Sequence, residues 1–425
     1  MRCKSLYAIV IFFGVYIGLP LNVISQDSLP PQVDLNDKLR QWFYKKPKKE
    51  EITMEQGKLY KAFLPIIGYT PAYGFLIGTG VSASMLLGDP NTTKISTALA
   101  NINITTKEQI VINLRTNITT KNNNWTLQGD YRMLFYSQPT YGLGIYFNNR
   151  PPIQLEDTSY SIPVVEQAMR FNYFRFYQTF NRLIARSFYL GLGYNLDYHF
   201  KISDLDLDTS SVEKTFTDHY IYSVTNGFNQ DKYITSGLVL NALWDSRDHP
   251  ITPVRGHYAN LSMRVNPAFL GSNQASTRVA LEYKAFFPMS KSNRNYVLGF
   301  FTWQSYLLGG EQPYLSLPSI TWDMYNRTGR GYIQGRFRGE NFFYTESEFR
   351  FPILASGILS GVAFLNVTSA SDEASKQSAL TEFAPGYGGG LRIKLDKKTR
   401  TNISIDYGRG RDGSSGVYFN LQEAF

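Results

Sequence analysis

Alternation of apolar and polar side chains over long segments is the feature that most restricts what this chain can fold into. In WTLQGDYRMLF, Trp125, Tyr131 and Phe135 fall on one face of an extended strand, and Asp130 and Arg132 fall on the other. Successive side chains of a strand point to opposite faces, so the pattern predicts a strand with one apolar and one polar face. Similar alternation recurs in QIVINLRTNI, STRVALEYKAFF, GLRIKL and NISIDY.

The apolar faces favour a membrane barrel over a soluble β-sandwich, whose strands also alternate. The alternating segments are about 10 to 15 residues long, which suits a strand that crosses a bilayer at a tilt. Aromatic residues make up 15% of the chain, and many lie on the apolar faces, as the aromatic girdles of membrane barrels require. Beyond the N-terminal segment no apolar run is long enough for a membrane helix.

Division of the sequence into alternating segments and turns predicts sixteen strands, an even number, as bacterial single-chain barrels require. We place them at residues 73–87, 92–106, 108–120, 124–136, 140–148, 164–180, 185–200, 232–246, 256–266, 275–289, 296–308, 341–351, 357–367, 384–395, 400–409 and 414–425. This parity puts both termini in the periplasm and the longest connections outside, at 149–163, 201–231, 309–340 and 368–383. The shorter connections SQP, FNRL, SKSNRN and DKKTR then face the periplasm. The predicted fold class is an all-β, 16-stranded antiparallel transmembrane β-barrel.

Residues 1–26 are predicted to be a signal peptide. MRCK is a short basic start, LYAIVIFFGVYIGL is too short for a stable membrane span, and NVISQ suits a cleavage site. The only cysteine, Cys3, lies in the basic start, so neither a lipid anchor nor a disulfide is expected in the mature chain. Residues 27–63 form a polar leader, which is either disordered, a short plug, or a basic arm on anionic headgroups. Residues 64–425 form the barrel.

A loop rich in Gly and Arg runs directly into a charged strand in RTGRGYIQGRFRGENFFYTESEFRFPI, residues 327–353. Glu346, Glu348 and Arg350 share the inward face of that strand, and aromatic residues share the other. If the loop folds into the barrel, Arg330 can bring its guanidinium to these carboxylates, where a charge-assisted contact fixes geometry as well as charge. A solvated loop arginine is the alternative interpretation.

Four local patterns follow one another along the chain. DSRDHPITPVRG lies in a periplasmic connection, RGY in the sixth outer loop, ESEFRFP in the next strand, and YFNLQEAF at the C-terminal end. Together with FLPIIGYTPAYGFLIGTG before the first strand, they resemble the BamA/TamA-type outer-membrane assembly and translocation barrels, also called the bacterial surface antigen family. The resemblance covers about residues 64–425. It implies that Arg330, Gly331 and Tyr332 form the tip of a sixth extracellular loop folded into the lumen, with Arg338 as a rival for the tip.

The resemblance also implies roles for three other groups of residues. The lumen-wall partners of the loop are Glu346, Glu348, Arg350 and Asn366; the periplasmic turn comprises Asp245, Arg247, Asp248, Pro253 and Gly256; the C-terminal strand signal comprises Phe419, Leu421 and Phe425. Asn366 stands where the family usually has Asp. An amide can accept a hydrogen bond from Arg330 but supplies no charge, so Glu348 is expected to carry the pairing.

Other kinds of site find little support in the sequence. The net charge of +9 favours nucleic acid, but the basic residues form no nucleic-acid module, so none is expected to bind. The four histidines have no metal-ligand spacing and are interpreted as solvated or turn residues. Asp204, Asp206 and Asp208 leave open a divalent-cation contact or a solvated strand extension. No nucleophile with oxyanion donors is apparent, so we expect no enzyme, no cofactor and no metal.

The sequence thus predicts an outer-membrane barrel for protein insertion or translocation. The seam between the first and last strands is expected to be weak, because Gly74, Gly78 and Gly80 lie in the predicted first strand and Glu423 lies on the lipid face of the last. Expected partners are outer-membrane lipid or lipopolysaccharide, and unfolded outer-membrane clients or a separate periplasmic partner. Family members usually carry POTRA domains, for which residues 27–63 are too few, so a member without them is expected. The alternatives are a non-catalytic pore or surface-binding scaffold, or a secretion pore for one dedicated partner.

Overall fold

The structure of the protein is a computed structural model. It describes residues 33–35, 37–38, 54–70, 74–147, 152–155, 158–160, 165–212, 214–324, 326–397, 399–421, 423 and 425. The predicted signal peptide and most of the predicted leader lie outside the described residues.

Sixteen antiparallel strands form one continuous sheet, in which each strand is hydrogen-bonded to its neighbours in chain order. They are β1 Tyr60–Thr70, β2 Gly74–Met85, β3 Ser96–Thr105, β4 Ile110–Thr119, β5 Trp125–Ser137, β6 Met169–Ala185, β7 Phe188–Asp204, β8 Lys232–Asp245, β9 Gly256–Asn266, β10 Ser276–Pro288, β11 Val297–Gly310, β12 Phe342–Pro352, β13 Leu359–Ala370, β14 Ala384–Asp396, β15 Thr401–Arg409 and β16 Ser415–Leu421. In the described connections lie a short hairpin, Ile153–Leu155 with Thr158–Tyr160, one α-helix, α1 Asp218–Thr225, and three 3-10 turns, Lys121–Asn123, Ala268–Leu270 and Tyr314–Ser316. No helix in the described part of the chain is long and apolar enough to span a membrane. The predicted all-β, 16-stranded fold class is confirmed.

The predicted strand count is right because two errors compensate. The predicted strand at 140–148 does not form: Gly142 and Gly144 have φ values of 84° and 83°, and the described residues of this segment make only isolated bridges, from Thr140 to Gln167 and from Gly144 to Arg338. Conversely, β1 is a strand that the prediction omitted, since Pro65 and Gly68 within it are typical of chain breaks. The barrel sheet therefore begins at Tyr60 rather than after residue 63, and the predicted first strand is β2.

The connections divide into two sets at opposite ends of the sheet. At what we call the loop end lie the long connections 138–168, 205–231, 311–341 and 371–383. At the opposite turn end lie the connections 186–187, 246–255, 289–296, 353–358 and 397–400. From β6 onward this matches the predicted parity, but the predicted periplasmic turn SQP lies at the loop end and FNRL lies within β6.

The outward face of the sheet is apolar, and the inward face is polar. Phe75 and Leu192 are 64% and 66% exposed, as expected for side chains that meet lipid. Arg132 and Arg278, by contrast, are buried inside the barrel, and so are Asp130 and Asp197. The alternation in the sequence therefore predicts the two faces correctly over most of the sheet.

The first and last strands are the two ends of the sheet. β1 and β16 approach one another, but no hydrogen-bonded ladder joins them among the described residues. Pro65 fits a terminal strand, because proline cannot donate a ladder hydrogen bond and is confined mainly to sheet edges.

Candidate functional site: the inward loop and its clasp

The connection 311–341 between β11 and β12, here called loop 6, folds into the lumen. Its residues Ile320, Tyr332 and Phe337 are fully buried and pack in one cluster with Phe342 and Tyr344 at the start of β12. Aromatic and aliphatic side chains in this part of the loop thus act as an internal core. The predicted inward position of the sixth loop is confirmed.

Arg330 lies at the centre of the contact between loop 6 and the barrel wall. Its Nη2 is 2.6 Å from a carboxylate oxygen of Glu346 and 2.6 Å from one of Glu348, and its Nη1 is 2.9 Å from one of Asp406. The guanidinium also lies over the Phe364 ring, 3.7 Å from the ring centroid. We call Arg330 and its three carboxylate partners the clasp. All four side chains are almost completely removed from solvent.

Two further arginines extend the clasp into a charge network. Arg350 Nε is 2.7 Å from Glu348, while Arg392 lies 2.6 Å from Asp406 and 2.7 Å from Glu423. Buried charges are stable only when they are paired and their hydrogen bonds are satisfied. Each carboxylate in this network except Glu346 contacts at least two arginines, whereas Glu346 depends on Arg330 alone among the described residues.

Gly331 allows the loop backbone to approach the wall closely. Its φ is 113°, and a Cβ at this position would lie 2.8 Å from the carbonyl carbon of Arg409. On the wall, a Cβ on Gly408 would lie 2.6 Å from the Gly331 nitrogen. Glycine is therefore required on both surfaces, for its backbone conformation in the loop and for close approach on the wall.

Tyr332 fastens the loop tip to the last strands. Its hydroxyl donates to the Pro385 carbonyl at 2.5 Å and accepts from the Arg411 amide at 3.0 Å. The Tyr418 hydroxyl accepts from the Gly331 amide at 2.9 Å and donates to the Tyr332 carbonyl, also at 2.9 Å. These bonds lie directly beside the charge network.

Loop 6 consequently contacts each of the five C-terminal strands. Glu346 and Glu348 belong to β12, and the other contacts come from Asn366 on β13, Pro385 on β14, Asp406 on β15 and Tyr418 on β16. Arg330, Gly331 and Tyr332 therefore connect five consecutive strands, the last of which, β16, is the free edge of the sheet.

The part of the chain that contains this site matches a known family: the Omp85 superfamily domain covers residues 117–425. The chain belongs to the Omp85 superfamily. The matched range contains loop 6 and every residue of the clasp. Membership supports a general role in protein insertion or translocation at the outer membrane.

Among solved structures, one comparison above a TM-score of 0.5 supports the barrel fold at low sequence identity. CdiB from Escherichia coli is 9% identical with a TM-score of 0.53, and the alignment covers 87% of this chain and 63% of that one. CdiB from Acinetobacter baumannii is 12% identical with a TM-score of 0.48, covering 86% and 59%. BamA from Haemophilus ducreyi lacking POTRA domains 1-3 is 14% identical with a TM-score of 0.48, covering 87% and 70%. No match was found among curated proteins.

Asn366 takes a different part in this Omp85 site from the one predicted. Instead of accepting from the guanidinium, its Nδ2 donates to the backbone carbonyl of Arg330 at 2.9 Å. The missing negative charge at this position is supplied by Glu346 and Asp406, so Glu348 does not carry the pairing alone.

Arg338, the rival for the tip, has a structural role within loop 6. It is buried, and its Nη1 donates to the carbonyls of Tyr314 and Leu317 at 3.1 and 3.2 Å. Among the described residues, no carboxylate forms an ion pair with it. It therefore crosslinks the loop backbone to itself.

The predicted periplasmic turn is an ordered unit at the turn end. Arg247 Nε lies 2.9 Å from Asp245, and Asp248 accepts from the amides of Val254 and Arg255 at 3.0 and 3.2 Å. Gly256 has a φ of 101°, which favours glycine.

One contact connects this turn to the charge network of the Omp85 barrel, and a buried histidine shapes the turn itself. The Pro253 carbonyl accepts from Arg350 of the charge network at 3.4 Å. His249 is buried rather than solvated, and burial lowers its pKa to about 3. Its neutral Nδ1 accepts from the amides of Ile251 and Thr252, both at 3.2 Å, so its role is to shape the turn.

The C-terminal residues depart from the predicted strand. Phe419 is 47% exposed on the outer face, but β16 ends at Leu421, before Glu423 and Phe425. Glu423, predicted on the lipid face, is buried beside Arg392. Phe425 is buried too, with ring centroids 5.9 Å from Phe286 and 5.3 Å from Phe301. The two-residue alternation fails here because it holds only while the backbone stays extended.

The other candidates form no shared site. His199 is buried and stacks on Tyr173 with ring centroids 4.3 Å apart, so it is not solvated either. Asp206 accepts from the Ala168 amide at 2.6 Å, while Asp208 accepts from the Ser210 amide at 2.9 Å. No group of three potential metal ligands occurs in the described part of the chain.

Sequence reasoning missed three members of the charge network as site residues: Arg392, Asp406 and Glu423. The polar faces of GLRIKL and NISIDY did place Arg392 and Asp406 inside the barrel. An ionisable residue inside a membrane barrel needs a charged partner, so the inward position of Arg392 and Asp406 could have identified both as site residues. Spacing along the chain does not reveal which charges meet across several strands.

Proposed function

We propose that this Omp85 barrel inserts or translocates proteins, without catalysis, by opening laterally between β1 and β16. The observation that carries the proposal is the missing ladder between these strands in the described residues. A strand edge without a partner presents unpaired N–H and C=O groups and can take up another strand.

The clasp supports opening at this position and not between any two of the strands from β12 to β16. Loop 6 binds all five strands from β12 to β16, and its charged contacts are buried. Opening between two of these strands would separate buried ion pairs, at about 3–5 kcal/mol for a broken pair. Opening between β1 and β16 leaves every clasp contact intact. The clasp thus holds the C-terminal strands as one rigid edge while β1 moves.

The orientation proposed is the one typical of outer-membrane barrels, with long loops outside and short turns inside. The loop end then faces the exterior, and both termini of the chain lie in the periplasm. The apolar outer surface contacts lipid or lipopolysaccharide, and unfolded clients or a separate periplasmic partner approach from the turn end.

A photo-crosslinking residue at Phe63 tests the proposal. Phe63 is 69% exposed and lies on β1, the strand to which a client strand would add. Leu192, 66% exposed on β7 and far along the sheet, is the matched control. We expect short-lived adducts with several newly made outer-membrane proteins at position 63 and none at position 192.

The outcomes separate the possible functions. A single adduct at position 63 indicates a secretion pore for one dedicated partner. Equal labelling at positions 63 and 192, or no protein adduct at either position, contradicts strand addition at the seam. A non-catalytic pore or surface-binding scaffold is then the better account.

A further inference from the structure

The connection 246–255, here called the β8–β9 turn, lies opposite the seam between β1 and β16. In the order of the sheet, β1 to β8 lie on one side of this turn and β9 to β16 on the other. The turn, together with Asp245 at the end of β8, nevertheless contacts connections on both sides of the seam. It therefore passes across the turn end of the lumen and is not confined to its own hairpin.

On the C-terminal side of the seam, several contacts hold the β8–β9 turn. Thr252 Oγ1 donates to the carbonyl of Arg400, in the connection 397–400, at 2.7 Å, and the Arg400 guanidinium lies 3.5 Å from Asp248. Val254 packs against the buried apolar cluster that contains part of loop 6. The turn is thus joined to the strands that the clasp holds together.

On the N-terminal side of the seam, the contact is made by Lys94, in the connection 86–95 between β2 and β3. Its Nζ lies 3.2 Å from a carboxylate oxygen of Asp245 and also donates to the Asp245 carbonyl. The backbone amide of Lys94 donates to Asn123 Oδ1 at 2.7 Å, which positions the lysine. The side chains of Lys94 and Asp245 are 26% and 12% exposed, so water reaches this ion pair.

The two attachments differ in how easily they are released. An ion pair that water and salt can reach contributes little to stability, whereas apolar packing is not screened by salt. Separation also leaves neither charge buried alone. Asp245 keeps Arg247, whose Nε lies 2.9 Å away, and Lys94 can turn its ammonium towards water. The contact between Lys94 and Asp245 is therefore the one that can be released at low cost.

Outward movement of β1 carries Lys94 with it. β1 pairs with β2 along its whole length, and β2 pairs with β3 from Leu76 to Met85. These ladders make β1, β2 and β3 move as one unit, together with the connection 86–95. Asp245 stays with β8, so the ion pair separates when the three strands swing away from β16.

We propose that the ion pair between Lys94 and Asp245 restrains lateral opening, and that its release accompanies the separation of β1 from β16. The inference rests on the lateral opening proposed above and adds a restraint on the far side of the lumen. The β8–β9 turn then holds both sides of the closed seam, firmly on the C-terminal side and releasably at Lys94.

Spin labels on cysteines at positions 63 and 419 measure the width of the seam in the full-length, detergent-solubilised barrel. Lys94→Met removes the charge and keeps a long unbranched side chain. We expect it to increase the population of long label-to-label distances by about two- to fivefold, the factor that corresponds to a partly exposed ion pair. Lys94→Arg retains the charge and should behave like the wild type. Lys121→Met, which removes an exposed lysine of the connection 120–124, is the matched control and should leave the distances unchanged.

A covalent lock tests the opposite change. Cysteines at positions 94 and 245 remove the ion pair, so adducts of a photo-crosslinking residue at position 63 should increase. Joining the two cysteines with a short bifunctional thiol reagent should lower the adduct yield below that of the wild type. Heat-modifiable gel mobility shows whether each variant is folded.

The outcomes distinguish the restraint from the function on which it rests. The restraint is overturned if folded Lys94→Met has the distance distribution of the wild type, if Lys121→Met widens the seam equally, or if the locked barrel forms as many adducts as the unlocked one. If the seam widens in Lys94→Met but no variant forms a protein adduct at position 63, the restraint stands and strand addition by clients is contradicted.

Discussion

Arg330 and Asp406 meet inside the barrel although 76 residues separate them in the chain, with Nη1 of the guanidinium 2.9 Å from the carboxylate. Asp406 lies on β15, three strands beyond the glutamates of β12 that share the same guanidinium. The separation of three strands matters because a contact of Arg330 with β12 alone would only anchor loop 6. A contact that spans β12 to β15 also fixes these strands relative to one another.

The clasp predicts an unequal effect of removing its members. Arg330→Ala leaves Glu346 buried with no basic partner among the described residues, whereas Glu348→Gln leaves Arg330 with two other carboxylates. We therefore expect Arg330→Ala to destabilise loop 6 by about 3–5 kcal/mol and Glu348→Gln by less. Limited proteolysis within 311–341 and thermal unfolding measure the loss.

A second substitution tests whether the loss is electrostatic. Glu346→Gln removes the charge left unpaired by Arg330→Ala, so the double variant should be more stable than Arg330→Ala alone. Arg294→Ala, in the turn 289–296, is a control that should change neither measurement. Strictly additive losses in the double variant would count against direct pairing.

Backbone conformation at the loop tip is tested by Gly331→Ala. The new Cβ would meet the backbone of Arg409 at 2.8 Å while φ stays at 113°. Gly413→Ala is the matched control: its φ is 78°, but no atom lies within 4 Å of the added Cβ. Both changes incur strain of about 1 kcal/mol, so only Gly331→Ala should also increase proteolysis of loop 6. Equal effects would show that strain alone, and not close approach, makes Gly331 necessary.

Much of the fold could be predicted from side-chain alternation, because a membrane barrel imposes opposite environments on its two faces. Asp130 and Arg132 lie inside as predicted, and Phe349 is exposed outside. The first strand escaped prediction because Pro65 is unfavourable in most strands yet acceptable at a sheet edge. The segment at 140–148 has strand-forming residues, but its described residues pair only through isolated bridges, from Thr140 to Gln167 and from Gly144 to Arg338 of loop 6, and not with a strand of the sheet.

The site was less predictable than the fold. Glu346, Glu348 and Arg350 follow from the local alternation of one strand, and the structure places all three against loop 6 or its network. Asp406 joins them only because the sheet curves and the loop crosses its lumen. Glu423 was assigned to the wrong face because the end of β16 at Leu421 leaves no mark in the alternation.

The pH dependence of loop 6 should follow Glu340. Burial raises the pKa of this loop carboxyl from 4.5 to about 7, and Ser371 donates to it at 2.8 Å. A raised pKa means that the folded loop favours the protonated form. The contribution of protonated Glu340 to the stability of folded loop 6 is complete below about pH 4.5, decreases as the pH rises, and is lost above about pH 7.

Proteolysis of loop 6 measured between pH 4 and pH 8 checks this expectation. Sensitivity should increase with pH in the wild type, and Glu340→Gln should remove most of the increase because its amide stays neutral. Glu382→Gln, which changes an exposed carboxylate, should behave like the wild type. An unchanged pH profile in Glu340→Gln would assign the dependence to another group.

The proposed orientation can be tested with single cysteines in a Cys3→Ser background. Positions 210 and 375 lie in loop-end connections, and positions 122 and 292 lie in turn-end connections. A membrane-impermeant thiol reagent added to intact cells should label only the first two, while permeabilised cells should show labelling at position 292 as well. Labelling of position 292 from outside would show that the barrel has the opposite orientation.

The last prediction concerns the seam, and it separates lateral opening from a fixed pore. The edge strand is β1 and not the glycine-rich β2, so a crosslink must join β1 to β16. Cysteines at Phe63 and Phe419, both on the outer face, are the first pair to try, with Lys61 and Val417 as neighbours for adjusting the register.

The matched control pairs cysteines at Met263 and Val279, which are directly opposite on β9 and β10 in an intact part of the sheet. In a strain that depends on this protein, oxidation of the seam pair should lower outer-membrane protein levels and arrest growth, and a reductant should restore both. The control crosslink should be harmless, because β9 and β10 need not separate during lateral opening. If growth and outer-membrane protein levels stay normal with the seam fully crosslinked, the barrel acts without opening sideways, and the free edge of β1 is a structural feature of a fixed pore or scaffold.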